Sequence, residues 1–244
     1  MKLEGKSVLL TGGSAGIGRE IARQLQARGA SVILTGRDPV RLGEMAAEGF
    51  EVIAADLSHA AGVDALVAAL GERPLDILVN NAGLGVAHDV RNGTPDPDAA
   101  DGCLYANLSA PVRLITALLP RLRARTPAAP EAAIINVTSG LAIAPNTASS
   151  VYCASKAGLR SYTMALRAQL AGEPVRVIEA LPPVVDTQMT ADRKMKKLSP
   201  QECARQIIAA LEQGQDEANV GMVKLLRAVY SLSPALARGI MRRF

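Results

Sequence analysis

The sequence predicts an α/β fold, a doubly wound parallel sheet in a single domain. Short aliphatic runs alternate with longer stretches of helical periodicity, and glycines separate them. The short runs are apolar on both sides, as is typical of parallel strands covered by helices on both faces. A length of 244 residues suits one such domain, and 49% hydrophobic with 20% charged residues excludes a disordered chain.

The predicted elements follow one another regularly from the N-terminus. Strands are predicted where apolar runs are short, and helices where the periodicity continues for about ten residues or more. The predicted strands are 7–10, 31–34, 52–55, 77–79, 133–137 and 175–181. The predicted helices are 18–28, 39–47, 61–70, 98–125, 150–170 and 200–213. Only the loops 91–97 and 126–130 interrupt this order, so we predict one domain over residues 1–244.

Composition argues against several classes of function. Four Tyr, two Phe and no Trp are too few to bind single-stranded nucleic acid by base stacking. The net charge of +4 lies entirely in the last 21 residues, because residues 1–223 hold 22 cations and 23 acids. We therefore expect no nucleic-acid partner.

The cysteines and the N-terminus predict a cytoplasmic protein without a metal site. Cys103, Cys153 and Cys203 are far apart and form no pair with metal-binding spacing, and the chain has only two His. Reduced thiols are the simplest interpretation. The N-terminus lacks the apolar region of a signal peptide. The longest uncharged stretch, 132–155, carries too many polar residues to span a membrane.

A glycine-rich turn, Thr11-Gly-Gly-Ser-Ala-Gly-Ile-Gly18, separates the first strand from the first helix. Glycines let the backbone approach a pyrophosphate, and a helix N-terminus offers free N–H groups. The spacing of Gly12, Gly16 and Gly18 differs from G-x-G-x-x-G and from the G-x-x-x-x-G-K-[ST] phosphate loop. Many such turns are glycine-rich for steric reasons alone, but the position in the first βα unit favours a dinucleotide.

The end of the second predicted strand bears on the choice of cofactor. An acidic residue there would bind an adenosine ribose 2′-hydroxyl, but the sequence reads Thr35-Gly36-Arg37. A guanidinium can bind a 2′-phosphate through two hydrogen bonds, so Arg37 favours NADP(H) over NAD(H). The alternatives stay open, because Arg37 could be a solvated residue at a helix start and Asp38 follows it.

Tyr152 and Lys156 lie four residues apart in a predicted helix, so their side chains share one face. A phenol has an ordinary pKa near 10, and a neighbouring ammonium lowers it toward the range useful for acid–base catalysis. Tyr-x-x-x-Lys alone is common by chance. Ser139 makes it more specific, because it ends a buried strand where doubly wound sheets bind their ligands.

These features together resemble the short-chain dehydrogenase/reductase family over nearly the whole chain. The matching segments, in order, are Thr11-Gly12-x-x-x-Gly16-x-Gly18, Asp56-Leu57, Asn80-Asn81-Ala82-Gly83, Asn107, Ser139 and Tyr152-x-x-x-Lys156. The resemblance implies a Rossmann-type fold and hydride transfer between a nicotinamide and a carbonyl or alcohol. The family commonly forms homodimers or homotetramers, so we expect one of these.

The resemblance also implies roles for the catalytic residues. Tyr152 would exchange the proton, Lys156 would lower the pKa of Tyr152 and bind the nicotinamide ribose, and Ser139 would orient the substrate oxygen. Asn107 would hold a water that links Lys156 to solvent. The turn, Arg37 and the matched positions together predict these cofactor contacts: Gly12, Ser14, Gly16, Ile17, Gly18, Arg37, Asp56, Leu57, Asn81, Ala82, Gly83, Tyr152, Lys156, Val185 and Thr187. The chain departs from the family at Pro182-Pro183, where Pro-Gly is usual. Proline fixes φ and has no N–H, so the backbone near Val185 and Thr187 could follow a different path.

Two basic segments remain open to two interpretations each. Residues 187–199 form a predicted substrate lid, whose four cations could attract an anionic acyl substrate, although a solvated loop is favoured. Residues 224–244 form a basic amphipathic segment. It could lie on an anionic membrane, but packing on its own domain or on a second subunit is favoured.

Two functions are compared. The first is an NADP(H)-dependent oxidoreductase acting on a small-molecule ketone or secondary alcohol. The second is a cofactor-binding scaffold or regulatory protein that keeps the fold without the chemistry. The intact set of Asn107, Ser139, Tyr152 and Lys156 favours the enzyme, because a scaffold does not need all four.

Overall fold

The fold is a seven-stranded parallel sheet with helices on both faces, as predicted. The computed structural model describes residues 1–93, 95–124 and 131–242. The strands are β1 (Ser7–Thr11), β2 (Ser31–Gly36), β3 (Glu51–Ala54), β4 (Ile77–Asn80), β5 (Ala132–Val137), β6 (Val175–Leu181) and β7 (Glu217–Asn219). Their order across the sheet is β3-β2-β1-β4-β5-β6-β7. The order reverses between β1 and β4, and a crevice at the carboxyl ends of the strands follows from that reversal.

Helices follow most of the strands and cover both faces of the sheet. They are α1 (Gly16–Gln26), α2 (Pro39–Ala47), α3 (Ala60–Leu70), α4 (Pro97–Leu104), α5 (Ala110–Arg123), α6 (Ser150–Gln169), α7 (Pro200–Glu212), α8 (Val223–Leu232) and α9 (Pro234–Met241). Alternate residues of β1 show the two layers. Val8 and Leu10 pack in one core with side chains of α1, α2 and α7, while Leu9 packs in the other with α3 and α5.

Two predicted elements differ from the structure. The helix predicted over 98–125 is divided, because a π-helical segment, Tyr105–Ser109, separates α4 from α5. Arg125 and the predicted loop 126–130 lie outside the described residues. The strand predicted over 52–55 was expected to be buried on both faces, but β3 forms the sheet edge and is partly exposed.

The sequence reasoning missed β7. It has three residues, two of them polar, and therefore lacks the aliphatic run that identifies the other strands. It pairs in parallel with the end of β6, with Glu217 opposite Glu179. The short 3₁₀ helices at Val90–Asn92, Gly140–Ala142 and Gln188–Thr190 were also not predicted.

The helical stretch Pro97–Arg123 contains an 18-residue window of mean hydropathy 1.3, so it is long and apolar enough to span a membrane by length and composition. In the structure it consists of α4, the π segment and α5. Leu114, Ile115 and Leu118 of α5 are at most 1% exposed and belong to the core under the sheet. Burial of this kind is typical of a core helix.

The C-terminal helices α8 and α9 leave apolar side chains on the surface. Leu225, Leu232 and Leu236 are 56%, 89% and 57% exposed. Packing of this segment on its own domain was one of the favoured interpretations. It does not hold for these three side chains. Arg243 and Phe244, which complete the predicted segment, lie outside the described residues.

Candidate active site

A cleft of about 540 Å³ lies at the carboxyl ends of the strands. All of the predicted cofactor contacts except Val185 line it: Gly12, Ser14, Gly16, Ile17, Gly18, Arg37, Asp56, Leu57, Asn81, Ala82, Gly83, Tyr152, Lys156 and Thr187. Val185 is 3% exposed and packs in the core, and its carbonyl accepts a hydrogen bond from the hydroxyl of Thr190. The structure thus brings the predicted residues together around one cleft and leaves the side chain of Val185 outside it.

The glycine turn is packed so tightly that larger residues do not fit. Gly12 and Gly16 have φ of +64° and +52°, in the left-handed region that favours glycine. A Cβ atom on Gly18 would lie 2.1 Å from the carbonyl oxygen of Gly12. Ala15, at the N-cap of α1, gives no side-chain hydrogen bond to the helix. The first N–H groups of α1 therefore stay available for an anion at the cleft.

Hydrogen bonds from the end of β4 hold this turn in place. The amide of Asn81 donates to the carbonyl oxygens of Thr11 and Gly12, both at 3.0 Å. The hydroxyl of Thr11 accepts from the backbone N–H groups of Asn81 and Ala82, also at 3.0 Å. Asn81 therefore acts on the shape of the turn, in addition to lining the cleft.

The nucleotide end of the cleft carries two guanidinium groups. Arg37 is exposed and forms no ion pair within the described part of the chain, whereas Arg41 pairs with Asp38 at 3.2 Å. Asp38 also caps α2, because its carboxylate accepts from the N–H groups of Val40 and Arg41. Asp38 was the reason for keeping NAD(H) as an alternative cofactor, and these contacts already use its carboxylate. Sequence reasoning missed Arg41, four residues beyond Arg37, although its i+4 spacing could have indicated it.

The neighbouring carboxylate of Asp56 stays ionised. Burial alone raises its pKa, but hydrogen bonds from Ser58 and the charge of Arg37 outweigh burial and hold the pKa below its usual value. The backbone N–H of Ser58 donates to Asp56 at 2.9 Å. Asp56 can therefore accept hydrogen bonds at this end of the cleft.

Tyr152, Lys156 and Ser139 meet at the other end. Tyr152 and Lys156 lie one turn apart on α6, with the Lys156 ammonium over the tyrosine ring at 5.9 Å from its centroid. Lys156 is 3% exposed and donates to the carbonyl oxygen of Val137 at 2.8 Å. Ser139 lies just beyond β5 and is 8% exposed, and its side chain interacts with Tyr152 so as to oppose the rise in the tyrosine pKa.

The pKa of Tyr152 differs from the sequence prediction. Burial raises it to about 12, although the hydrogen bond with Ser139 acts in the opposite direction. Burial also lowers the pKa of Lys156 to about 8. The predicted lowering of the tyrosine pKa is therefore wrong for this structure, because desolvation is the larger effect. At neutral pH the phenol carries its proton.

Asn107 lies within the π segment and is fully buried. Its amide nitrogen donates to the carbonyl oxygen of Leu84 and to the hydroxyl of Ser155, both at 2.9 Å, and its oxygen accepts from the N–H of Leu84. A Cβ atom on Gly83 would lie 2.9 Å from Asn107 Oδ1 and 3.4 Å from Lys156 Nζ. Asn107 and Lys156 thus flank Gly83. π-Helical turns of this kind are frequent at functional sites.

The segment after β6 crosses from the catalytic end to the nucleotide end. A Cβ atom on Gly16 would lie 3.0 Å from Thr187 Cγ2. Gln188 accepts a hydrogen bond from Arg41 at 2.6 Å, and Met189 lines the cleft. The carbonyl of Pro182 accepts from the N–H of Gly140, which ties the double proline to the loop after β5. Gln188 lies in the predicted lid, but nothing in the sequence indicates its contact with Arg41.

No group of three or more His, Cys, Asp or Glu among the described residues could hold a metal ion. The groups gathered at the cleft include backbone amides, two guanidinium groups, a phenol and an ammonium, together with the carboxylates of Asp38 and Asp56. Such groups suit a phosphorylated organic cofactor and a carbonyl oxygen.

Comparison with known proteins gives a consistent result. The family model for short chain dehydrogenase matches residues 6–198. The uncharacterized oxidoreductase DltE of Bacillus subtilis is 38% identical over 237 residues, which cover 93% of this chain and 92% of that protein. A short chain dehydrogenase from Burkholderia cenocepacia, solved in complex with NADP, superposes with a TM-score of 0.86 at 29% identity over 99% of both chains. A 3-ketoacyl-(acyl-carrier-protein) reductase from Brucella melitensis, complexed with NADH, reaches 0.78 at 29% identity over 88% of this chain and 96% of its own.

Proposed function

This chain belongs to the short-chain dehydrogenase family of NAD(P)-dependent oxidoreductases, and from that premise we propose that it reduces a ketone or oxidises a secondary alcohol with NADP(H). The cleft fits such a cofactor on steric grounds. The Gly12–Gly18 turn leaves no room for a Cβ atom on Gly18, and the first N–H groups of α1 have no side-chain cap. When bound there, the nicotinamide supplies or accepts the hydride.

The main support for the proposal is that the side chains of Tyr152, Ser139 and Lys156 lie close together at one end of the cleft. With a pKa of about 12, the phenol of Tyr152 is protonated at neutral pH, which is the form that donates a proton to a carbonyl oxygen. The hydroxyl of Ser139 supplies a second hydrogen bond to the same oxygen. Lys156, buried beside the tyrosine ring, stabilises the phenolate that remains after the proton has left.

Kinetics with a conservative variant test this role. Tyr152→Phe keeps the ring and removes only the hydroxyl, so kcat/KM for NADPH-dependent ketone reduction should fall about 100- to 10,000-fold. NADPH affinity, measured by the fluorescence of the bound cofactor, should stay within about threefold of wild type. Unchanged activity in Tyr152→Phe contradicts the mechanism. Tight NADPH binding by wild type without turnover of any ketone in a broad panel would favour a scaffold.

The preference for NADP(H) is a separate proposal, supported by the guanidinium of Arg37, which lines the cleft and has no ion-pair partner among the described residues. Arg37→Ala should weaken NADPH binding about 10- to 100-fold and change NADH binding by less than threefold, because only NADPH carries the 2′-phosphate. Arg205→Ala is a matched control, since it removes an exposed arginine that pairs with Glu202 away from the cleft. An equal loss for both cofactors in Arg37→Ala contradicts this preference.

We also propose that the exposed apolar face of α8 and α9 contacts a second copy of the chain, giving a homodimer or homotetramer. Leu232 is 89% exposed, which makes it the best residue to test. Leu232→Glu should halve the mass measured by light scattering, from a dimer to the 25.4 kDa monomer or from a tetramer to a dimer. A wild type that is monomeric and binds anionic vesicles would instead support the membrane interpretation.

Two further proposals concern the lid and the location. Residues 187–199 act as a substrate lid, supported by the contact of Gln188 with Arg41 across the cleft. Amide hydrogen exchange in 187–199 should slow when NADPH is added, and no change would contradict a lid.

A cytoplasmic location is supported by three free, buried cysteines. Fractionation of cells expressing the full chain tests it.

A further inference from the structure

An arginine of the predicted lid reaches the N-terminal end of α6, close to Tyr152. Arg193 Nη2 lies 3.5 Å from the hydroxyl oxygen of Ser149, the N-cap residue of α6. Ser149 and Tyr152 are three residues apart, so their side chains lie within one turn on the same helix face. Burial raises the pKa of both Tyr152 and Cys153, and the charge of Arg193 partly opposes this. Arg193 is therefore an electrostatic neighbour of the proposed catalytic phenol.

The guanidinium of Arg193 is not paired with a carboxylate in the described part of the chain. Among the described residues it forms no ion pair, and Ser149 is its one hydrogen-bond partner. Lys197, in the same segment, behaves differently and pairs with Asp186 at 3.4 Å. A half-buried guanidinium carries five N–H donors, so most of its hydrogen-bonding capacity is left for another molecule.

The surroundings of Arg193 supply further donors. Ser149 gives no side-chain hydrogen bond to the first turn of α6, so the helix N-terminus keeps free N–H groups and a partial positive charge. Asn146 is 5% exposed, and its amide nitrogen is shielded from solvent without a partner in the described chain. Asn146 Oδ1 already accepts from the N–H of Ser149. Among the described residues, the remaining donors at this end of α6 outnumber the acceptors, and this balance favours an anion.

We propose that Arg193 binds an anionic group of the substrate, a carboxylate or a phosphate, and so selects ketones or secondary alcohols that carry one near the reacting carbon. A guanidinium binds either group through two parallel hydrogen bonds. The hydroxyl of Ser149 supplies a third donor. This inference rests on the proposed oxidoreductase function, because it places the anion beside the carbonyl that Tyr152 protonates. Arg193 is then a specificity-determining residue.

Matched substrates test the inference directly. Acetoacetate is compared with methyl acetoacetate, and dihydroxyacetone phosphate with dihydroxyacetone, in NADPH-dependent reduction. Arg193→Gln should lower kcat/KM for the preferred anionic substrate about 10- to 100-fold, mainly through KM, and change that for its neutral counterpart by less than about twofold. Arg205→Gln, which removes an exposed arginine that pairs with Glu202 outside the lid, should change neither by more than about twofold.

The outcomes separate this inference from the proposed function. An equal effect of Arg193→Gln on anionic and neutral substrates, or a wild type with no preference for the anion, overturns it. If the wild type reduces none of the four compounds, binding is measured instead. The Tm of NADP⁺-loaded protein is compared with and without acetoacetate or inorganic phosphate. A Tm increase that Arg193→Gln abolishes supports the anion site even if reduction fails. No increase with either probe overturns it.

Discussion

The two ends of the cleft are held in place by different kinds of interaction. The nucleotide half, residues 11–83, depends on the close approach of backbone atoms, as where Gly18 packs on the carbonyl of Gly12. The catalytic half, residues 107–193, depends on buried polar and charged side chains that lie far apart in sequence. Asn107 reaches Ser155 across 48 residues, and Lys156 bonds to Val137 across 19. Steric constraints, supported by the hydrogen bonds of Asn81, therefore shape the first half, and buried polar and charged side chains dominate the second.

A buried ion pair behind the catalytic half provides the strongest test of this difference. Glu179 of β6 is fully buried, accepts from the hydroxyl of Thr138 at 2.7 Å, and pairs with Arg160 of α6 at 2.6 Å. Thr138 precedes Ser139, so this pair supports the loop that presents the serine. Removing one partner leaves the other charge buried and unpaired, which typically costs several kcal/mol.

Arg160→Met should therefore lower the free energy of unfolding by about 3–5 kcal/mol, measured by urea denaturation. In the double variant Arg160→Met with Glu179→Leu, most of this loss should be recovered, because no unpaired charge remains. Arg205→Met, which breaks an exposed ion pair with Glu202, should leave stability unchanged within error. If Arg160→Met costs no more than Arg205→Met, the catalytic half does not depend on its buried charges.

The second test uses the pH dependence of stability. Burial lowers the pKa of Lys156 to about 8 from 10.5, so between these pH values the native lysine is neutral while the unfolded one still binds a proton. Stability rises with pH where the unfolded state binds more protons. The stability of wild type relative to Lys156→Met should therefore increase by roughly 3 kcal/mol as the pH rises from 8 to 10.5. A flat difference over this range would show that Lys156 is not desolvated.

The same contrast explains what the sequence could predict. The strand-to-helix connections of a βα unit restrict the residue types that fit, so a local pattern is enough to identify them. This applies to Gly12, Gly16 and Gly18 after β1, and to Arg37 after β2. Tyr152 and Lys156 were found in a similar way, from their i, i+4 spacing. Sequence alone therefore predicted the doubly wound parallel sheet and fourteen of the residues that line the cleft.

Interactions between distant segments could not be predicted. Glu179 looks like one of two charges in an otherwise apolar strand, beside Arg176, and its partner Arg160 looks like a helix surface residue. The pKa of Tyr152 depends on burial by the whole fold, so the motif alone predicted the wrong direction. Val185 was predicted as a cofactor contact from a family segment in which this chain has a double proline. Its side chain lies in the core instead. Each of these depends on packing across elements rather than on local spacing.

The smallest expected change in stability tests the nucleotide half. Gly18→Ala places a methyl group 2.1 Å from the carbonyl oxygen of Gly12 and 2.5 Å from the Asn81 amide, so the turn must move. Overpacking of this kind typically costs about 1–3 kcal/mol, and NADPH affinity should fall at least 10-fold as the backbone is displaced. Gly43→Ala is the matched control, because Gly43 lies in the exposed face of α2 with no heavy atom within 4 Å of the added carbon. It should raise stability by about 0.5–1 kcal/mol and leave NADPH affinity unchanged, since alanine favours the helix. If both variants behave alike, close packing of the backbone does not hold the nucleotide half in place.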